Sequence, residues 1–197
     1  EQFGVAVENS GAPVGHGKEG HNECGVPGHL GYRVRAGQRY RAMDYQIEPD
    51  VSAACYFYAM APLLGIPVQV RHVHFDSLQG DVEFLRILER MGCQVTEDAE
   101  GIRVTGRDDG SFHGVEVDMS ACSDQAITLA ALAPFADSPT TITGIGHIRH
   151  QESDRMLAIV TELGKLGIDC EMCKDFIKIY PGRPKGGLVE TYDDHRM

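Results

Sequence analysis

The sequence predicts an α/β chain built from repeated βαβαββ units, with the set incomplete. Three observations carry this prediction. Two amphipathic helical segments each stop at a Gly and are followed by a pair of short alternating runs. Two other segments are apolar nearly all round. Matching positions in the two halves recur at a fixed spacing of 72 residues, as Ala61-Pro62 and Ala133-Pro134 do, and Pro67 and Pro139. A period of this kind defines an architecture before it says anything of activity.

Each element follows from local chemistry. Asp81 to Gly92 reads DVEFLRILERMG, and Asp154 to Gly167 reads DRMLAIVTELGKLG. Apolar residues three or four apart (Val82, Leu85, Leu88, Met91; Met156, Ile159, Val160, Leu163, Leu166) put one face of each helix in a core. Gly92 and Gly167 suit the left-handed residue that closes a helix. The runs that follow, CQVTEDAEGIRVTG and IDCEMCKDFIKIYPG, alternate and predict antiparallel pairs. Ser52 to Val70 and Ser123 to Ile142 predict two helices buried on most sides, each followed by a strand. Ser52 and Ser123 are the expected N-caps. Pro62 and Pro134 should kink or end these helices. Tyr45 to Asp50 is expected to be the strand that opens one copy, and Phe3 to Glu8 matches the helix end and strand of an earlier copy.

Composition bounds the function. The chain has 197 residues, 42% hydrophobic and 24% charged, as in a soluble globular protein. A net charge of −11 argues against nucleic acid and anionic membrane as partners. Any anionic ligand then needs a local cluster of cations. Val51 to Val70 is the longest uncharged run, and its Pro62, Gly65, Pro67 and Gln69 suit a buried helix plus strand better than a membrane span. Of six Cys, Cys55, Cys93 and Cys122 sit among apolar residues, which suits reduced thiols in cytoplasm. Cys170 and Cys173 form a lone CxxC and are expected to be structural thiols. Residues 9–33 fit no copy of the repeat. They hold seven Gly between Gly11 and Gly31 and are expected to form an irregular loop, with a metal site from His16, His21, Cys24 and His29 as the alternative. The chain starts at Glu1 without Met and stops at Met197 just after a polar cluster, so an internal piece of a longer polypeptide is expected.

Three polar clusters interrupt the apolar pattern at corresponding junctions of the repeat, and a fourth closes the chain. The first is Tyr45 to Asp50, where Tyr45 is a candidate hydroxyl donor. The second is Asp118 to Gln125, with Asp124 in the first turn of a buried helix, able to cap it or to take a proton from a ligand hydroxyl. The third, His147 to Arg155 (HIRHQESDR), crowds cations at a helix N-terminus, where they oppose the dipole. An anion bound among Arg155, the free backbone N–H groups and neighbouring cations would resolve that conflict. The fourth is Thr191 to Arg196 (TYDDHR).

In this order the clusters resemble the 5-enolpyruvylshikimate-3-phosphate synthase (3-phosphoshikimate 1-carboxyvinyltransferase) family. The resemblance rests on EPDVSAACYF at 48–57, SLQGD at 77–81, SDQAITLAALAPFA at 123–136, IRHQESDRM at 148–156 and TYDDHRM at 191–197. It implies the enolpyruvyl transferase fold, an inverse α/β barrel of two domains, each with three βαβαββ units and with substrates between them. Residues 1–80 would then be a remnant of the first domain and 81–197 part of the second, with the crossover at SLQGD.

The resemblance further implies transfer of the enolpyruvyl group of phosphoenolpyruvate to the 5-hydroxyl of shikimate 3-phosphate, a step of aromatic amino acid biosynthesis, by addition and elimination and with no cofactor or metal. It implies Asp124 as the residue that binds the shikimate hydroxyls and takes the proton. Glu152 would be the second acid/base group, and Arg155 and Arg196 would hold phosphoenolpyruvate. Asp194 and His195 would shape that site, while Tyr45, His147, His150 and Gln151 would line the shikimate side. Gln151 stands where many relatives carry Lys, with His150 beside it as a substitute. The family's N-terminal Lys/Ser, Gly-rich loop, Ser-Ser-Gln and late Lys motifs have no counterpart here. The isolated chain is therefore expected to turn over negligibly, and its truncated faces to favour self-association. Two other readings are a relative of the UDP-N-acetylglucosamine enolpyruvyl transferases, which resemble the ESDR and DDHR stretches less well, and a non-catalytic module that binds an anion or a complementing chain.

Overall fold

The structure, a computed structural model, describes residues 3–9 and 32–197. Most of the Gly-rich stretch and the quartet His16, His21, Cys24 and His29 lie outside the described residues. The chain divides into two compact units, residues 1–47 and 48–197. In the first, β1 (Val7–Asn9) pairs antiparallel with β2 (Tyr32–Val34), and the Gln38 side chain accepts from Ala6 N at 2.7 Å.

The second unit holds the repeat. In chain order come α1 (Val51–Leu64), β3 (Pro67–Arg71), α2 (Glu83–Arg90), β4 (Gln94–Asp98) and β5 (Gly101–Thr105). They are followed by β6 (Glu116–Asp118), α3 (Ala126–Leu132), β7 (Thr140–Thr143), α4 (Arg155–Lys165), β8 (Cys170–Met172) and β9 (Phe176–Ile179). One sheet runs β3-β5-β4 and the other β6-β7-β9-β8. The equivalents β3-β5-β4 and β7-β9-β8 thus share one order, antiparallel throughout, and β6 adds parallel to β7. The predicted 72-residue repeat is therefore a repeat of topology, complete in β6 to β9. Its first copy lacks the opening strand: no strand is assigned from 35 to 50, so the strand expected at Tyr45 to Asp50 does not form.

The expected boundary at residue 80 falls inside the second unit. β3, before it, pairs with β5, after it, over five residues from Pro67↔Thr105 to Arg71↔Gly101. A main-chain ladder spans that point, and the compact units part at 47/48.

Two details of the helices also differ from expectation. Asp50, not Ser52, caps α1, its carboxylate accepting from Ala53 N at 3.0 Å. Ser52 is drawn away because its hydroxyl donates to the Asp81 carboxylate across the repeat. Ser123 begins a short 3-10 turn (Ser123–Gln125) with no side-chain cap, and α3 starts after it. Pro62 sits inside α1, whereas α3 gives way at Leu132 to a 3-10 turn containing Pro134. The amphipathic helices close as predicted, with φ of 102° at Gly92 and 83° at Gly167. The β4–β5 turn is fixed by Asp98, whose Oδ1 accepts from Glu100 N at 2.8 Å and from Gly101 N at 3.2 Å.

One apolar core joins both copies, with Tyr58, Phe84, Leu85, Leu88 and Ile102 from the first and Leu129, Ile142, Ile145, Met156 and Ile177 from the second. Tyr58 keeps its buried hydroxyl satisfied by donating to Ile102 O at 3.0 Å. α1 is covered less fully than its composition suggests: Tyr56, Phe57, Met60, Leu63 and Leu64 stay exposed along one side. Among the described residues no helix is long and apolar enough to cross a membrane.

Candidate active site

The two polar clusters at the ends of the second copy meet at Arg155. This residue opens α4, and Asp154 caps the helix by accepting from Leu157 N at 2.9 Å. The guanidinium of Arg155 is 3% exposed, and the carboxylate facing it, Asp194, is fully buried. Their contact is bidentate, Nε to Oδ2 at 2.8 Å and Nη2 to Oδ1 at 3.0 Å, the geometry in which Arg binds a carboxylate most strongly. Nη1 donates to Asp124 Oδ1 at 2.9 Å and to Gln151 Oε1. Burial opposes the Arg155 charge, but Asp194 and then Asp124 outweigh it and hold its pKa above the usual value. Asp194 is held well below the usual carboxylate range, first by Arg155 and then by the N–H of Arg196 and the Ser153 hydroxyl.

The cation at this helix N-terminus is thus met by carboxylates of the protein, where the sequence led us to expect an external anion. Asp194 arrives from 39 residues downstream, a long-range pairing that no local pattern announces.

Asp124 extends the network. Its other oxygen lies 3.2 Å from Arg196 Nη2 in an ion pair, so it bridges Arg155 and Arg196. Asp124 keeps 35% of its side-chain surface exposed and Arg196 keeps 16%. Among the described residues, Nε of Arg196 is buried without a hydrogen-bond partner. Asp124 does not serve as a helix cap; it points at guanidinium groups. Glu152 joins from the edge: its Oε2 lies 2.8 Å from His195 Nδ1 and accepts from His195 N at 3.1 Å. That ring, and then that N–H, lower the Glu152 pKa.

Asp124, Glu152, Arg155, Asp194, His195 and Arg196 therefore form one contiguous constellation, with Gln151 attached through Arg155. His147 meets its rim, Nε2 lying 2.8 Å from Ser123 Oγ beside Asp124. His150 is exposed and lines an open depression with Arg149 and Lys174. Tyr45 belongs to the first unit, where its ring centroid lies 5.3 Å from that of Phe3.

Glu152, Asp194 and His195 each place one ligand-type atom within 4.8 Å of the others. Both oxygens of Asp194 are already bonded to Arg155, so this trio offers a cation little free carboxylate.

Sequence reasoning missed the residues that shape this site from behind. Tyr192 and Asp193 have φ of 56° and 53°, left-handed values that cost a non-Gly residue roughly 1–2 kcal/mol each. They turn the chain so that Asp194 meets Arg155, His195 meets Glu152 and Arg196 meets Asp124. Behind them, Tyr192 Oη donates to Glu162 Oε1 at 2.5 Å. A carboxylate on the apolar stripe of a helix, among Met156, Ile159 and Leu163, was the available signal.

Comparison with known proteins places this architecture. The structure superposes on the enolpyruvyl transferase NikO from Streptomyces tendae with a TM-score of 0.60 at 20% identity, covering 91% of this chain and 38% of that one, which shows the fold class alone. It superposes on EPSP synthase from Acinetobacter baumannii with a TM-score of 0.70 at 27% identity, covering 81% and 40%. The fold is that of the enolpyruvyl transferases.

A family model, EPSP synthase (3-phosphoshikimate 1-carboxyvinyltransferase), matches residues 25–197. The chain belongs to that family. The 3-phosphoshikimate 1-carboxyvinyltransferase of Nostoc punctiforme is 46% identical over 166 residues, 84% of this chain and 38% of the relative. That of Ralstonia nicotianae is 45% identical over 203 aligned positions, 100% of this chain and 42% of the relative. The chain thus spans about two fifths of the length of the relatives it matches.

Proposed function

We propose that the chain carries part of an active site that transfers the enolpyruvyl group of phosphoenolpyruvate to the 5-hydroxyl of shikimate 3-phosphate. The observation that carries this reading is the joining of Asp124, Glu152, Arg155 and Arg196, from three separate family motifs, into one network. Asp124 is accessible enough to accept a hydroxyl proton, and the guanidinium groups of Arg155 and Arg196 fix where its carboxylate lies. Arg196 offers a planar fork suited to carboxylate or phosphate, with a buried N–H still unsatisfied among the described residues. Arg155 acts from deeper in, orienting Asp124 and Asp194. Glu152, whose carboxylate the His195 ring holds toward its ionised form, is the second acid/base group. His147, His150, Gln151 and Tyr45 remain the residues assigned to the shikimate side.

On this reading residues 1–80 belong to the first domain of the family and 81–197 to the second, and the substrates' other contacts come from the remaining three fifths of the relatives' length. The chain alone then binds these anions without appreciable turnover. The exposed apolar side of α1 (Tyr56, Phe57, Met60, Leu63, Leu64) favours self-association. The buried, unpaired Cys55, Cys93 and Cys122 suit a cytoplasmic protein.

The test is a titration of isotopically labelled chain with shikimate 3-phosphate and with phosphoenolpyruvate, UDP-N-acetylglucosamine serving as the control acceptor, together with an assay of phosphate release. We expect amide shifts confined to residue 45 and residues 123–125, 147–155 and 194–196, and negligible phosphate release. Shifts elsewhere only, or preference for the control acceptor, would refute the reading.

A further inference from the structure

Helix α4 grips the segment after β9 at two points seven residues apart. One is Arg155, which holds Asp194. The other is Glu162, two turns further on and so on the same side of the helix. Glu162 is buried, yet its carboxylate is well supplied with donors. Oε1 accepts from Tyr192 Oη at 2.5 Å and from Lys165 Nζ at 2.8 Å, and Oε2 accepts from Glu190 N at 3.2 Å. Lys165 Nζ also lies 3.6 Å from Glu190 Oε1. Lys165 and then Tyr192 keep Glu162 below the usual carboxylate range, so it stays an acceptor at neutral pH.

The gripped segment has no regular structure from 180 to 191. Its backbone is tied by Lys185 N to Leu166 O at 2.8 Å, then by Glu190 N to Glu162. At Tyr192 and Asp193 the chain makes the left-handed turn that delivers Asp194, His195 and Arg196. The phenol and the turn are covalently consecutive, so fixing one fixes the direction of the other.

We propose that Glu162 and Tyr192 are positioning residues for the cation-bearing turn 194–196, setting where His195 meets Glu152 and where Arg196 meets Asp124. Neither touches the reacting groups. Their effect on ligand affinity rests on the functional reading above; their effect on the turn does not.

The experiment compares the wild type with Tyr192→Phe, which keeps the ring and removes the hydroxyl, and with Glu162→Ala. Three quantities are read in each: amide exchange across 190–196, the titration of the Glu152 carboxyl by carbon NMR, and affinity for phosphoenolpyruvate. Loss of a hydrogen bond to a charged group should speed exchange at 192–196 about tenfold. The Glu152 titration should move up toward its ordinary value as His195 loosens, and phosphoenolpyruvate should bind more weakly, with the melting temperature of Tyr192→Phe near wild type. Glu162→Gln, which retains an acceptor for Tyr192, should restore most of the Glu152 behaviour. Unchanged exchange and unchanged Glu152 titration in Tyr192→Phe would overturn the proposal, even if Glu162→Ala failed to fold. Should the wild type bind no phosphoenolpyruvate, the functional reading fails, and the first two quantities still decide the positioning role.

Discussion

Replacing Asp194 with Asn tests the centre of the network. Asn keeps the shape of the side chain but removes the charge and turns one of the two oxygens facing Arg155 into an N–H donor. The guanidinium it leaves is 3% exposed, so water cannot replace the lost partner. Breaking a buried ion pair by removing one member costs about 3–5 kcal/mol. Arg155 keeps Asp124 at 2.9 Å and the surviving amide oxygen, which puts the expected loss near the low end, about 3 kcal/mol. For a protein of this size about 1 kcal/mol moves the melting temperature by roughly 2–4 °C, so D194N should melt about 6–12 °C lower near neutral pH.

Circular dichroism melts at several pH values would measure this. Asp194 has a lower pKa folded than unfolded, so its stabilisation is fully present above the unfolded value of about 3.9 and is lost as pH falls through the folded value. The gap between wild type and D194N should therefore be constant near neutrality and close only in strong acid. A loss below about 1 kcal/mol, the size expected of a solvent-exposed pair, would refute the account of Arg155 as a buried charge held by Asp194.

Three further outcomes are expected. Asp50→Ala should lower the stability of the second unit by about 1 kcal/mol in urea unfolding, through loss of the α1 cap. His195→Ala should raise the Glu152 pKa toward its ordinary value, measured by carbon NMR, because the ring is the main cause of the lowering. In thiol labelling near neutral pH the exposed Cys173 should react promptly. Cys93 and Cys122 should be slow, since burial pushes their pKa up to about 11 and about 12, and Cys55 slower still, its pKa raised by the same cause.

Much of the fold was legible because it is written twice. Two Gly-terminated amphipathic helices, each followed by an alternating pair, gave α2 with β4 and β5, and α4 with β8 and β9. What the sequence hid depends on distant partners. Ser52 looks like a cap, but Asp81, 29 residues away, claims its hydroxyl and leaves the cap to Asp50. The strand expected at Tyr45 to Asp50 has the right composition, yet a strand needs a neighbour, and there the chain makes no ladder. The same holds at the site. The family resemblance singled out Asp124, Glu152, Arg155 and Arg196, whereas the burial of Arg155 between two carboxylates, and the support from Glu162 and Tyr192, arise only when residues near 155 and 194 are brought together.

The two copies of the repeat share no strand. Their junction includes the main-chain bond from His113 N to Met91 O at 2.8 Å, the packing of α1 against α3, and the Asp81 carboxylate accepting from Gln125 Nε2 at 2.9 Å while it also holds Ser52. The exposed link at Asp108, Asp109 and Gly110 therefore carries no ladder bond of either sheet. A single protease nick at that link should leave two pieces that each keep their own sheet and still migrate together on gel filtration, held by the core they share.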